Sequence, residues 1–264
     1  MVILMEKFKH KKSLGQNFLK DEKVLNDIVN AIDLQEDDLV IEIGPGQGAL
    51  TKKLKEKNVN LLCYEVDFRT KDYLKKLEDE KTKMIYQDFL QSDILKDISH
   101  IKYQNLYIIA NLPYYITTPI IKKIIDSKLC VKAMCLMVQK EVALRFSAKV
   151  GSKDYNSLTI YLNYYFDITK LIEVKNTCFD PVPKVDSAVV KFVAKKNNYM
   201  VKNEEFFFTF VRDAFRQKRK NLRNNLKNYD LVKIDEILKK YGLSLQKRAE
   251  EVPIEVFIDL ANTL

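Results

Sequence analysis

Leu39-Val-Ile-Glu-Ile43 is a short apolar run that breaks off into Gly44-Pro45-Gly46-Gln47-Gly48, after which Leu50 and Leu54 stand one helical turn apart in residues 49–57. A buried strand that hands over to a helix through glycines opens a βαβ unit. The glycines permit positive φ and let a ligand come close to the backbone. The same alternation continues downstream. Strands are expected at 59–64, 84–86, 106–110 and 131–138, and helices at 67–77, near Ile94, at 119–125 and at 140–149. Upstream, Val24, Leu25, Ile28, Val29 and Ile32 recur at helical spacing behind a potential N-cap, Asp21. Strands alternating with helices imply a parallel sheet covered on both faces, with its ligand at the carboxyl ends of the strands. Residues 168–174 and Ser187–Ala194 flank a Pro-containing loop and suit an antiparallel edge hairpin. Beyond about residue 198 only helical patterns remain, at 206–215, 221–226, 231–239 and 254–260, with Gly242 as a helix stop. A domain boundary near residue 197 follows, giving a sheet domain at 1–197 and a helical domain at 198–264.

The 264 residues carry 45 Lys+Arg against 36 Asp+Glu, a net charge of +9. That excess is concentrated in two places. Residues 1–20 hold five Lys and one Glu, and residues 212–227 hold seven Lys/Arg and one Asp, so the remainder is close to neutral. Two basic patches on a neutral body point to a polyanionic partner. The four cysteines form no CxxC pair and there are two histidines, which argues against a zinc site or a disulfide framework. No apolar run approaches the roughly 18 residues needed to span a bilayer. The expectation is a metal-free cytoplasmic protein in a reducing compartment.

On the glycine turn alone, two ligands remain open. Gly44-x-Gly46-x-x-Ala49 satisfies the dinucleotide fingerprint in its G/A form, and equally suits S-adenosylmethionine. Glu42 just before the turn would crowd a pyrophosphate and so leans toward the methyl donor. Glu65, 21 residues after Gly44, ends the second strand and can accept both hydroxyls of a ribose. Asp88 ends the third and can accept from an adenine amino group.

Asn111-Leu112-Pro113-Tyr114 follows the fourth strand and therefore lies on the same edge. The N6 amine of adenine is a poor nucleophile because its lone pair is delocalised into the ring. Acceptors that grip its two protons would localise that pair. The Asn111 side-chain carbonyl is one such acceptor, and a backbone carbonyl of the turn is the other. Pro113 holds Leu112 extended, and Tyr114 offers a flat face to an unstacked base. Displacement at a methyl carbon with a good leaving group needs positioning more than a strong base, so scarce histidine is no obstacle.

Taken together, Gln16-Asn17-Phe18-Leu19, the turn from Glu42 to Thr51, Glu65, Asp88 and Asn111–Tyr114 resemble the ribosomal RNA adenine dimethyltransferases. The segments from Phe179 to Ser187 and from Phe215 to Lys227 are similar to the KsgA/Dim-type small-subunit branch rather than the Erm-type large-subunit branch. The resemblance implies an α/β Rossmann-like, seven-stranded class I methyltransferase sheet with a small all-α C-terminal domain. It implies S-adenosyl-L-methionine as cofactor, with Gln16, Asn17, Leu19, Glu42, Gly44, Gly46, Glu65, Asp88 and Asn111 around it. Asn111, Leu112, Pro113 and Tyr114 would form the reacting end, with Tyr114 and Phe179 sandwiching the target adenine. Two methyl groups would go to each of two adjacent adenosines near the 3′ end of small-subunit rRNA, on an immature 30S-type particle, by a monomeric enzyme. Gln47, Cys63-Tyr64 and Tyr155-Asn-Ser-Leu158 depart from the usual pattern without removing a group that the chemistry needs.

The RNA-facing expectation has three parts. Arg216, Lys218, Arg219, Lys220, Arg223 and Lys227 are too dense for one helix stripe and suit phosphate contact. Lys11 and Lys12 lead into Gln16-Asn17, so the N-terminal arm at 1–20 could clamp RNA. Lys184 sits on the stiff loop of Pro181 and Pro183. Phe206-Phe207-Phe208 reads as core of the helical domain.

Overall fold

The run that decides the fold is buried at all five positions, as a strand covered on both faces requires. The computed structural model describes residue 11, residues 14–196 and residues 199–264; the expectations for Lys12 and for a boundary at 197 and 198 lie outside the described residues. The strands are β1 (Phe18–Leu19), β2 (Leu39–Ile43), β3 (Asn60–Tyr64), β4 (Thr82–Ile85), β5 (Leu106–Asn111), β6 (Val131–Gln139), β7 (Phe166–Val174), β8 (Phe179–Asp180) and β9 (Ser187–Ala194). Seven of them form one sheet in the order β4-β3-β2-β5-β6-β9-β7, with helices between strands in the manner of a class I methyltransferase. β2 runs parallel to β3 and β5, β3 to β4, and β5 to β6. Their carboxyl ends therefore share an edge, and Gly44, Glu65 and Asn111 are brought to it.

The helices are α1 (Glu22–Asn30), α2 (Ala49–Lys55), α3 (Lys71–Leu74), α4 (Ile94–Ile98), α5 (Thr117–Asp126), α6 (Lys140–Phe146), α7 (Ser157–Tyr165), α8 (Glu204–Ala214), α9 (Leu222–Asn225), α10 (Leu231–Lys240) and α11 (Ile254–Thr263). Asp21 caps α1 through its carboxylate, which accepts from the Val24 N–H. Val24, Leu25, Ile28 and Val29 of α1 are buried in a core with Leu50 and Leu54 of α2 and with β2 and β5 residues Val40 and Ile109. No helix among the described residues is long and apolar enough to cross a membrane.

Two elements differ from the sequence expectation. Residues 67–77 are not one helix but α3 between two 3-10 turns, Phe68–Thr70 and Lys75–Leu77. Asp67 explains the first break: its carboxylate accepts from the Arg69 N–H, and the Thr70 hydroxyl returns to the Asp67 carbonyl at 2.7 Å. Such local bonds favour a tight turn over a continuous helix. The second difference is α7, which the apolar pattern did not announce. It is started by a capping box, in which the Asn156 side chain accepts from the Thr159 N–H and the Thr159 hydroxyl accepts from the Asn156 N–H.

The chain divides into two compact units, residues through Lys140 with Lys170–Phe192, and Glu141–Thr169 with Val193–Leu264. This differs from a single cut near residue 197, because Tyr155 and Ile160 share a core with Phe207, Phe210, Leu222, Ile234 and Phe257. Phe207 is fully buried there and Phe206 packs on Phe210, so the Phe run is core, as expected.

Candidate active site

The carboxyl edge of the sheet opens into a cleft lined by Gly44, Gly46, Glu65, Asp88, Asn111–Tyr114 and the arm residues Gln16 and Asn17. No Lys, Arg or His lines it among the described residues. A pyrophosphate would meet two carboxylates there and no cation, whereas a cationic ligand is matched.

Gly44 and Gly46 serve different ends. Both have positive φ, at +72° and +59°. A Cβ on Gly44 would meet nothing within 4 Å, so its side faces open space; one on Gly46 would come 2.5 Å from Cε1 of Phe18, whose ring rests there. Glu65 follows β3 and is 5 % exposed. Its Oε2 accepts from the Gly46 N–H and its Oε1 from the Asp67 N–H, each at 2.8 Å. Each oxygen keeps another lone pair, enough for two hydroxyls of a ribose. Burial pushes its carboxyl up, and the two N–H donors act against that. Asp88 caps the next turn with Oδ1, which accepts from the Leu90 N–H at 2.9 Å. Its Oδ2 has no hydrogen-bond partner among the described residues, which suits an amino group. These residues fit S-adenosyl-L-methionine, with Glu65 placed for the ribose and Asp88 for the adenine.

At the reacting end, the Asn111 Nδ2 donates to the Asn17 carbonyl at 3.2 Å. That bond decides the amide's orientation and leaves Oδ1 as an acceptor. Leu112 is anchored by its buried side chain and by its N–H, which donates to the Met137 carbonyl at 3.1 Å. The Pro113 carbonyl accepts from the Ile116 N–H, while no described residue donates to the Leu112 carbonyl. Two acceptors are thus left at the end of β5. The Tyr114 hydroxyl bonds Ser187 Oγ at 2.7 Å, which fixes the ring, and burial pushes its phenol up so that it stays neutral.

Three expected residues stand elsewhere. Phe179 is 3 % exposed and pairs in register with Leu19 in the β1–β8 ladder. The pairing turns both side chains into the core with Leu25, Val29 and Val174, so the Phe179 ring is core and lines no part of the cleft. Leu19 and Glu42 lie instead along a second recess that shares Gly44 and Asn111 with the cleft. Glu42 is 1 % exposed, burial pushes its carboxyl up to about 7, and the Cys63 thiol donates to its Oε2 at 3.5 Å.

Other residues were missed from sequence. Asp67 accepts from Gln16 Nε2 at 2.7 Å and pairs with Arg69 at 2.6 Å; the guanidinium holds its carboxyl down to about 2. Its position two residues after Glu65, heading a turn, was the available signal. Ser187 closes the segment that begins at Phe179, but nothing in the sequence announced its bond to Tyr114.

In the helical unit, Arg216, Lys218, Arg219 and Lys220 occupy the turn after α8, Arg223 lies in α9 and Lys227 just beyond it. All six are exposed, and among the described residues none has a carboxylate within 4.0 Å. Asn225 shapes the turn by donating from Nδ2 to the carbonyls of Ala214 and Gln217. Lys11 and Lys184 are exposed as well.

Sheet order, glycine turn and cleft together define an S-adenosyl-L-methionine-dependent methyltransferase of class I fold. Residues 7–264 match the ribosomal RNA adenine dimethylases, and the chain belongs to that family. Ribosomal RNA small subunit methyltransferase A of Aster yellows witches'-broom phytoplasma is 43% identical over 253 residues, 94% of this chain and 93% of that protein. A dimethyladenosine transferase from Plasmodium falciparum has a TM-score of 0.75 at 27% identity, over 92% of this chain and 95% of that one. The 23S rRNA methyltransferase ErmE shares the fold with a TM-score of 0.76 at 24% identity, over 94% and 99% of the chains.

Proposed function

We propose that this chain transfers methyl groups from S-adenosyl-L-methionine to N6 of two adjacent adenosines near the 3′ end of small-subunit rRNA, giving N6,N6-dimethyladenosines. The observation that carries the reading is the Asn111 amide, whose NH2 is committed to Asn17 so that Oδ1 and the Leu112 carbonyl form an acceptor pair. When bound, the donor supplies a methyl group on a sulfonium sulfur, with a neutral thioether as leaving group. Asn111 Oδ1 and the Leu112 carbonyl accept hydrogen bonds from the N–H groups of the target amine and so aim its lone pair at the methyl carbon. Tyr114, pinned through Ser187, gives the flipped base a fixed face. The amine's proton leaves to water once the new C–N bond has formed, so no base is required of the protein. Phosphate contact falls to the exposed cations from Arg216 to Lys227, with Lys11, Lys12 and Lys184 as further contacts.

The substrate particle in this reading is an immature 30S-type subunit in the cytoplasm, methylated by a monomer as part of subunit biogenesis. The names of the relatives, which refer to small-subunit rRNA and dimethyladenosine, support it over a large-subunit target. Incubation with labelled S-adenosyl-L-methionine and immature small subunits, with large-subunit RNA in parallel, tests it. Label should enter the small-subunit RNA as dimethyladenosine; label in large-subunit RNA alone overturns the reading.

A further inference from the structure

We propose that Asp67 is a positioning residue for methyl transfer: through Gln16 it holds the N-terminal arm so that the Asn17 carbonyl keeps the Asn111 amide in its productive orientation. This rests on the reading that Asn111 grips the target amine.

The contacts form a continuous chain. Asp67 has a side chain 4 % exposed, lies outside the cleft lining, and is clamped by Arg69 through Nε at 2.8 Å and a terminal nitrogen at 2.6 Å. Its Oδ2 also accepts from Gln16 Nε2 at 2.7 Å. The other end of the Gln16 amide accepts from the Lys11 N–H at 2.9 Å. Gln16 is thus read at both ends, as donor to a carboxylate and acceptor from a backbone N–H, and its amide has one satisfactory orientation. The next residue, Asn17, presents its carbonyl to Asn111 Nδ2 at 3.2 Å.

Orientation matters because an asparagine amide is nearly symmetric in shape and opposite in chemistry. Rotated by half a turn, Asn111 would set an NH2 against the amine it must accept from. The Asn17 carbonyl prevents this only while the arm stays in place. Farther along, the arm is held independently, by β1 pairing with β8 and by Phe18 on Gly46. Loss of the Asp67–Gln16 bond therefore loosens residues beside Asn111 without unfolding the chain.

A polarity swap tests this. Gln16→Glu opposes two carboxylates and should lower kcat by about 10- to 100-fold, with the KM for RNA within about threefold. Adding Asp67→Asn lets the new amide donate to the carboxylate at position 16, while the Arg69 terminal nitrogen, 3.5 Å from Gln16 Oε1, turns to that same carboxylate. This restores the donor–acceptor pairing and should return kcat to within about threefold of wild type. If Gln16 instead acted by touching the ligand, Asp67→Asn would not rescue it, and the proposal fails. The second readout needs no methylation: the side-chain amide 1H–15N pair of Asn111 in the free protein, assigned with Asn111→Asp. It should shift or broaden in Gln16→Glu and return in the double variant. An unmoved pair overturns the proposal. Should wild type methylate no small-subunit RNA, the functional reading falls while this resonance still decides the role of Asp67.

Discussion

In the cleft, Glu65 is 5 % exposed and each of its oxygens is already engaged by a backbone N–H, whereas Arg219 and Arg223 in the helical unit stand exposed with no carboxylate within 4.0 Å among the described residues. The cleft uses few charges, desolvated and held by hydrogen bonds, so each is strong and depends on ångström-scale geometry. The basic turn uses many charges that salt screens and that act nearly additively. The two regions should answer perturbation differently: the cleft in rate, cofactor affinity and pH, the turn in RNA affinity and salt dependence.

The most severe test is Asn111→Ala. Methyl transfer should fall by about 10³-fold, with calorimetric affinity for the donor within a few-fold. A joint collapse of rate and affinity would make Asn111 a structural residue. Next comes Glu42, whose carboxyl is raised by burial to about 7. Between roughly pH 4.5 and 7 the folded chain keeps a proton that the unfolded chain has released, so stability falls as pH rises through that window. Above it the loss is up to about 3 kcal/mol. Glu42→Gln should remove that fall and raise the denaturant midpoint at about pH 8 relative to wild type; parallel pH profiles would refute it. Glu65→Gln must turn an NH2 toward a backbone N–H or toward the ligand, and should weaken cofactor binding by about 30-fold. Unchanged affinity would move the ribose contact elsewhere. Smallest in a single measurement is Arg219→Glu with Arg223→Glu. RNA binding at about 0.15 M salt should weaken about tenfold and the log–log salt slope should flatten by about 2, with kcat at saturating RNA unchanged. An unaltered slope would place the phosphate contacts on other residues.

Much of the sheet half was legible because its signals are local. Apolar runs ending in glycine, carboxylate or asparagine mark strands that deliver a functional residue to one edge, and Glu65, Asp88 and Asn111 do meet there. What escaped depended on pairings distant in the chain. Phe179 looks like a free aromatic on a proline loop until its register with Leu19, 160 positions away, turns it inward. Asp67 reads as a solvated carboxylate until Gln16 folds back onto it. The α7 segment, rich in tyrosine, has no clean apolar stripe because its neighbours are themselves aromatic: Tyr164 meets Phe207 and Phe208. The basic turn was legible by density alone, and the structure adds that, among the described residues, none of its cations forms an ion pair within 4.0 Å, although Lys218 donates to the Lys153 carbonyl.

The interleaving of the two units bears on how the chain can be cut and made. Tyr155 and Ile160 emerge during synthesis well before α8, α10 and α11, the helices that bury them. Until those arrive, the segment from Glu141 to Thr169 waits with apolar and aromatic groups uncovered. A truncation after β9 would leave that segment permanently without its cover, so an apparently isolated catalytic half would be sticky rather than minimal. The piece that can be separated from this protein is therefore not the one that linear order suggests.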